Sequence, residues 1–229
     1  MTESATYLVA GCKPWNRDDF NSLAATCPGR WLFAADEAEL QANVDRDPPR
    51  YIFFLHWNWR VPEELWRHFE CVCFHMTDVP YGRGGSPLQN LIVRGHRETK
   101  VSALRMVEEM DAGPVYAKRP LSLDGRAEDI YRKAGAVCLD LIRWMVETKP
   151  TPAPQEGEAT VFKRRVPSQS ELPPEADLQQ VYDHIRMLDA PTYPPAFIDH
   201  GSLRLEFAQA HLEDGAVTAT VTIRPRTTK

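Results

Sequence analysis

The stretch CVCFHMTDVPYGRGGSPLQNLIVRG, Cys71 to Gly95, gathers side chains whose types can do chemistry. His75 closes a short apolar run, and a loop rich in Pro, Gly and Arg follows it. An imidazole is the side chain whose ordinary acid strength lets it take and return a proton near neutral pH. Taken alone, a single histidine is more often a structural residue with its hydrogen bonds satisfied. Cys71-Val72-Cys73 lacks zinc-site spacing and has no matching second pair, so no metal is expected and buried strand thiols are the simpler reading. The loop GRGGSP, Gly82 to Pro87, can form a nest of N–H groups for an anion at the start of the helix LQNLIVRG, or equally a plain glycine-rich turn. It has no Walker lysine. The basic triplet Lys163, Arg164, Arg165 is too short to define a nucleic-acid site.

The elements around these residues follow from hydrophobic period. ATYLVAG, RWLFAA, RYIFFLHW and ECVCFH read as strands, separated by the helices NRDDFNSLAATC, DEAELQANV and PEELWRHF. Such alternation predicts a parallel sheet, with RYIFFLHW buried on both faces. His75 would then stand at the carboxyl end of a strand, where open α/β sheets place their ligands. A helix is predicted from Arg126 to Glu147, with Ile130, Ala134, Val137, Cys138, Leu141 and Met145 on its core face. KPTPAPQEGEAT has no apolar period and reads as a linker or extended crossing. ADLQQVYDHIRML reads as a helix, and LRLEFAQAHLEDGAVTATVTI as a hairpin turning at Asp214-Gly215. The expected domains are residues 1–148, a linker at 149–175, and a small C-terminal α+β unit at 176–229.

Composition bounds the rest. A chain of 229 residues, 43% hydrophobic and 26% charged, is an ordinary globular protein. It has no apolar run of the roughly 20 residues that cross a bilayer, so no membrane partner is expected. The N-terminus MTESATYLVAGCKPW shows no secretory pattern, and five scattered cysteines do not form a disulfide framework, so a cytoplasmic protein with reduced thiols is expected. A formal net charge of −5 gives no bulk attraction to phosphate backbones, which argues against a nucleic-acid partner.

From His75 the chain reads HMTDVPYGRGGSPLQNLIVRG, then ETKVSALRM, then MDAGPVY. This order resembles the formyltransferases that use 10-formyl-tetrahydrofolate, in which His-x-Ser-x-x-Pro-x-x-Arg-Gly-x-x-Pro precedes a Thr-Gly-Val strand and an Asp-x-Gly turn. The resemblance runs from about Tyr51 to Val115 and continues into FKRRVPSQSEL and the Tyr193 to Phe197 segment. It is placed nearest to sugar N-formyltransferases of the pseudaminic acid type. It implies an α/β fold, a Rossmann-like formyltransferase core with a small C-terminal helix-plus-hairpin subdomain.

The resemblance also implies a function. The expected reaction moves a formyl group from the co-substrate 10-formyl-tetrahydrofolate to the amine of a nucleotide-linked amino sugar, for example a UDP-4-amino-4,6-dideoxy sugar, by direct attack and without a metal. His75 and Asp111 match the family's catalytic histidine and aspartate. The family's asparagine falls at Cys73, and a thiol is a weak donor for an oxyanion. Asn58, Gln89, Asn90 or a water are the candidate substitutes. His56, Trp57, Asn58, Trp59 and Arg60, with Val107, Glu108, Glu109, Met110 and Asp111, align with the family's cofactor walls. Thr77, Arg83 and Gly84 are placed toward the substrate. A hydrolase of formyl-tetrahydrofolate, a methionyl-tRNA formyltransferase-like enzyme and a non-catalytic binder remain as alternatives, and a homodimer is left open.

Overall fold

The computed structural model describes residues 5–191 and 193–226. Two compact units share the chain. The first comprises the described residues up to Arg83, then Lys100–Leu121 and Lys133–Val161; the second comprises Gly84–Thr99, Ser122–Arg132 and the described residues from Phe162 onward.

In chain order the elements are β1 (Thr6–Gly11), α1 (Asn16–Thr26), β2 (Arg30–Ala34), α2 (Glu37–Arg46), β3 (Tyr51–Leu55), α3 (Glu63–His68) and β4 (Glu70–His75). There follow β5 (Arg83–Gly84), α4 (Pro87–Val93), β6 (Glu98–Arg105), β7 (Val115–Ser122), α5 (Ala127–Thr148) and β8 (Val161–Phe162). The chain closes with α6 (Leu178–Arg186), β9 (Ala196–His200), β10 (Leu203–Glu213) and β11 (Ala216–Pro225). The main sheet has the order β2-β1-β3-β4-β6-β7.

β3, the sequence YIFFL, is buried at every residue, because it lies inside the sheet with both faces covered. α2 begins at Asp36, whose carboxylate accepts from Glu39 N at 2.8 Å, a side-chain cap on an otherwise orphaned N–H. Its Leu40 and Val44, one turn apart, enter a cluster with Leu8, Ala10, Ala34, Ile52, Phe54, Leu65 and Cys71. Trp57 and Met106 pack on the same cluster, so the chain just beyond β3 and just beyond β6 is anchored to one core.

The four strands whose alternation predicts a parallel sheet do pair in parallel, in the order β2-β1-β3-β4, and the sheet becomes mixed at the next strand. β4 pairs with β6 in antiparallel register, Phe74 opposite Ala103 and His75 opposite Ser102. Parallel neighbours require a crossover that returns the chain to the starting edge. The connection from 76 to 97 instead releases it at the carboxyl end of β4, and β6 runs back from there.

In the second unit α6 opens with a capping box: Asp177 accepts from Gln180 N at 2.8 Å, and the Gln180 side chain accepts from Asp177 N at 2.9 Å. The predicted hairpin is β10–β11, turning through Asp214 (φ +49°) and Gly215 (φ +72°), and β9 adds a third strand that the sequence reading lacked. Arg186, only 1% exposed, donates to Asp183 Oδ1 at 2.6 Å and to the carbonyls of Leu123 and Gly125 at 2.6 and 2.9 Å. These three acceptors offset much of the cost of burying the guanidinium, although its Nη2 has no hydrogen-bond partner among the described residues. Among the described residues, no helix is long and apolar enough to cross a membrane.

Candidate functional site

β4 ends in His75, which is 8% exposed. Its Nδ1 lies 3.5 Å from Asp111 Oδ2, and its Nε2 lies 2.7 Å from the carbonyl oxygen of Gly82. Both partners are acceptors, so a ring protonated on both nitrogens can give a proton to each, whereas a neutral ring can serve one. Around the ring the loop is tied down. Thr77 Oγ1 donates to Gly82 O at 3.3 Å, and Ser102 Oγ, across the β4–β6 pair, donates to Thr77 O at 2.7 Å. Lys100 and Lys118 hold Asp78 at 2.8 and 2.5 Å. Burial pushes the Asp78 carboxyl up, but hydrogen bonds from these lysines outweigh it and keep it below the usual carboxylate range.

Asp111 comes from the turn between β6 and β7. Its φ is +56°, a left-handed backbone that non-glycine residues seldom adopt. Two residues on, Gly113 lies so close to β6 that a Cβ there would meet Arg105 O at 1.8 Å. The glycine of the Asp-x-Gly pattern is therefore a packing requirement.

Arg83 is held by a residue that the sequence reading assigned to a linker. Gln155 Oε1 accepts from Arg83 Nε at 3.1 Å and Nη2 at 2.9 Å, while Gln155 Nε2 donates to Asp111 O at 2.7 Å and Gly113 O at 2.8 Å. Arg83 Nη1 reaches Glu109 Oε1 at 3.2 Å. No periodicity marks Gln155, because its partners lie far away in the chain.

Two of the N–H groups that the sequence offers for an anion nest at GRGGSP are already taken. Arg83 N donates to Thr160 O at 2.9 Å and Gly85 N to Phe162 O at 3.0 Å, so these N–H groups are spent on β-type pairing. Two of the candidate substitutes for the missing asparagine are also occupied. Gln89 is fully buried; its amide donates to Tyr131 Oη at 3.1 Å and Met187 O at 3.0 Å and accepts from Tyr193 Oη at 3.1 Å. Asn90 Nδ2 is directed at the carbonyls of Gly85, Ser86 and Lys163, each at 3.0 Å. Asn58 is exposed. Burial, followed by the Asp111 charge, pushes the Cys73 thiol up, and burial followed by Glu70 pushes Cys71 up to about 12. Both sulfurs are held as thiols.

Beyond β3, His56 has φ +50°. Its Nδ1 lies 3.3 Å from Asn16 Nδ2. Burial, then Lys13, pushes its imidazole down to about 4. Trp57 stacks edge-on against Trp59 at 4.8 Å, and its buried indole N–H has no hydrogen-bond partner among the described residues. Trp59, Val107 and Met110 leave apolar surface exposed, Met110 at 72%. Arg60 and Glu108 are exposed beside them, and Gly84 is half-buried.

A solved structure titled methionyl-tRNA formyltransferase from Clostridium thermocellum is 42% identical to this chain, covers 97% of it and 100% of its own length, and superposes with a TM-score of 0.94. The chain belongs to the folate-dependent formyltransferase family. A family model described as "Methionyl-tRNA formyltransferase, C-terminal domain" matches residues 167–224 of the formyltransferase. The methionyl-tRNA formyltransferase of Sorangium cellulosum (strain So ce56) is 31% identical over 153 residues, covering 64% of this chain and 49% of that protein. The chain spans about half the length of the curated relatives it matches.

Two expectations are corrected by these matches. The resemblance was placed nearest to sugar N-formyltransferases, but the one from Shewanella sp. FDAARGOS_354 shares only 14% identity at a TM-score of 0.66. The exclusion of nucleic-acid partners also falls, since the relatives with higher identity are named for tRNA. Net charge was the wrong guide, because it sums the whole surface while a polyanion is met by a local patch.

Proposed function

We propose that this formyltransferase moves the formyl group of 10-formyl-tetrahydrofolate to the amine of an aminoacyl-tRNA, with methionyl-tRNA as the acceptor. The observation that carries the acceptor class is a group of cations in the second unit. Arg94 stacks on Phe162 with its Cζ 4.6 Å from the ring centre, Lys163 is tied through its carbonyl to Asn90, and Arg165 N donates to Ser86 Oγ at 3.1 Å. With the exposed Arg164 between them, these side chains are not ion-paired among the described residues, so their charge is open to phosphate.

The chemistry falls to His75 and Asp111. An amine attacks only when neutral, so a proton must leave it as the new C–N bond forms, and the folate nitrogen must gain one as the old bond breaks. His75, oriented through Nδ1 by Asp111, takes the first and returns the second through Nε2, which must first exchange its contact with Gly82 O for the amine. The amine is itself the nucleophile, and Cys73, held protonated, has no covalent part. The residues present fit a folate. Trp59, Val107 and Met110 offer apolar surface to a flat ring. His56, Asn58, Arg60, Glu108 and Glu109 complete these walls, with Arg83 and Gly84 toward the acceptor, whereas Thr77, fully buried and bonded to Gly82 O, braces the loop instead.

Incubation with methionyl-tRNA and 10-formyl-tetrahydrofolate, followed by mass spectrometry of the released amino acid, tests the reading. The expected product is N-formylmethionine. Charge reversal by Lys163→Glu with Arg164→Glu is expected to raise KM for the tRNA and flatten its salt dependence. A parent enzyme that leaves methionyl-tRNA unchanged would overturn the proposal.

A further inference from the structure

We propose that Gln155 is a positioning residue for formyl transfer, a single amide that sets the catalytic turn and the Arg83 guanidinium in one fixed relation. This rests on the role of Asp111 proposed above and names a residue in that site which the chain pattern conceals.

An amide has two acceptor positions and two N–H donors. Gln155 uses all of them: Arg83 Nε and Nη2 reach its oxygen at 3.1 and 2.9 Å, and its nitrogen reaches Asp111 O and Gly113 O at 2.7 and 2.8 Å. The reverse orientation would set NH2 against two guanidinium donors and oxygen against two carbonyls. One orientation therefore satisfies every partner. The two carbonyls it holds bracket the end of the turn whose first residue, Asp111, has φ +56°. A left-handed aspartate keeps its carboxylate aimed only while the surrounding structure dictates that backbone. The third contact of Arg83 is different in kind. Glu109 is 76% exposed, so its carboxylate can leave Nη1 to an incoming anion while Gln155 retains Nε and Nη2.

Gln155→Met fills the same space without a hydrogen bond, and Gln155→Glu keeps the acceptor for Arg83 but loses both donors to the turn. The experiment measures kcat, KM for methionyl-tRNA and Tm for both variants beside the parent and Asp111→Asn. Both Gln155 variants should lose at least about tenfold in kcat, the scale of small misplacements of reacting groups, with Tm near that of the parent. KM should rise in Gln155→Met and stay near the parent value in Gln155→Glu. A purely structural glutamine would lower Tm and the active fraction without this split. Parent-like kcat in folded Gln155→Met overturns the proposal, as does a loss that only tracks the folded fraction. If Gln155→Met does not fold, parent-like kcat in Gln155→Glu overturns it. Parent-like kcat in Asp111→Asn would instead remove the assignment of Asp111 on which it stands. A parent inactive on methionyl-tRNA refutes only the acceptor, and the same kcat comparison is then read on hydrolysis of 10-formyl-tetrahydrofolate, where water replaces the amine.

Discussion

His75 Nδ1 stands 3.5 Å from Asp111 Oδ2, although one residue ends β4 and the other sits in the turn after β6. The β4–β6 register sets Ser102 opposite His75 but Arg105 opposite Val72, so the segment from 106 to 111 folds back along β4 to bring Asp111 to the imidazole. His75→Asn and Asp111→Asn proteins are expected to stay folded and to lose at least about a hundredfold in single-turnover rate, the usual contribution of a positioned acid or base. Near-parent rates at saturating substrate would withdraw the role from that residue.

Cys73→Ser should retain most of the turnover. Burial and the neighbouring Asp111 charge hold the thiol protonated, and direct attack by the amine requires no thiolate. Rapid quench and mass spectrometry of the parent should find no formyl group on Cys73. A trapped thioester, with an inactive but folded Cys73→Ser, would establish a covalent route.

His56 should make the fold sensitive to mild acid. Its folded value of about 4 lies below the ordinary 6.5, so between those values the unfolded chain binds the proton more readily. The stability it contributes is present above pH 6.5 and is lost as pH falls toward 4. His56→Asn, which tolerates the positive φ, should show a smaller fall in urea midpoint between pH 7 and about 5 than the parent does. Equal falls would mean that His56 is not the group that titrates.

Gly113→Ala should damage both stability and activity. The added Cβ would lie 1.8 Å from Arg105 O, a backbone atom that cannot swing away, so the Asp111 turn must move. A loss of roughly 2 kcal/mol or more in urea unfolding is expected, in the range of substitutions that force backbone strain. An unchanged unfolding midpoint would show that the turn relaxes freely.

Local pattern alone identified β1 to β4, the helices, the β10–β11 hairpin with its Asp214-Gly215 turn and the position of His75 at a strand end, since hydrophobic period and turn residues are written within a few neighbours of each position. The order of motifs carried the formyltransferase family as well. Other features were decided only by the tertiary structure. β6 runs against β4, the N–H groups of Arg83 and Gly85 are consumed by the chain near β8, and Gln89 is buried among Tyr131, Met187 and Tyr193. Gln155 reaches Arg83 across 72 residues of sequence, and Arg94 meets the segment that carries Lys163 and Arg165. Each of these depends on which distant backbone or side chain arrives to satisfy a polar group or leave a charge uncovered. A glutamine in a proline-rich segment looks the same in sequence whether it faces water or a guanidinium, and a net charge of −5 looks the same however the cations are grouped. Hydrogen bonds and electrostatic patches are set by distances of a few ångströms in space, which periodicity along the chain does not encode.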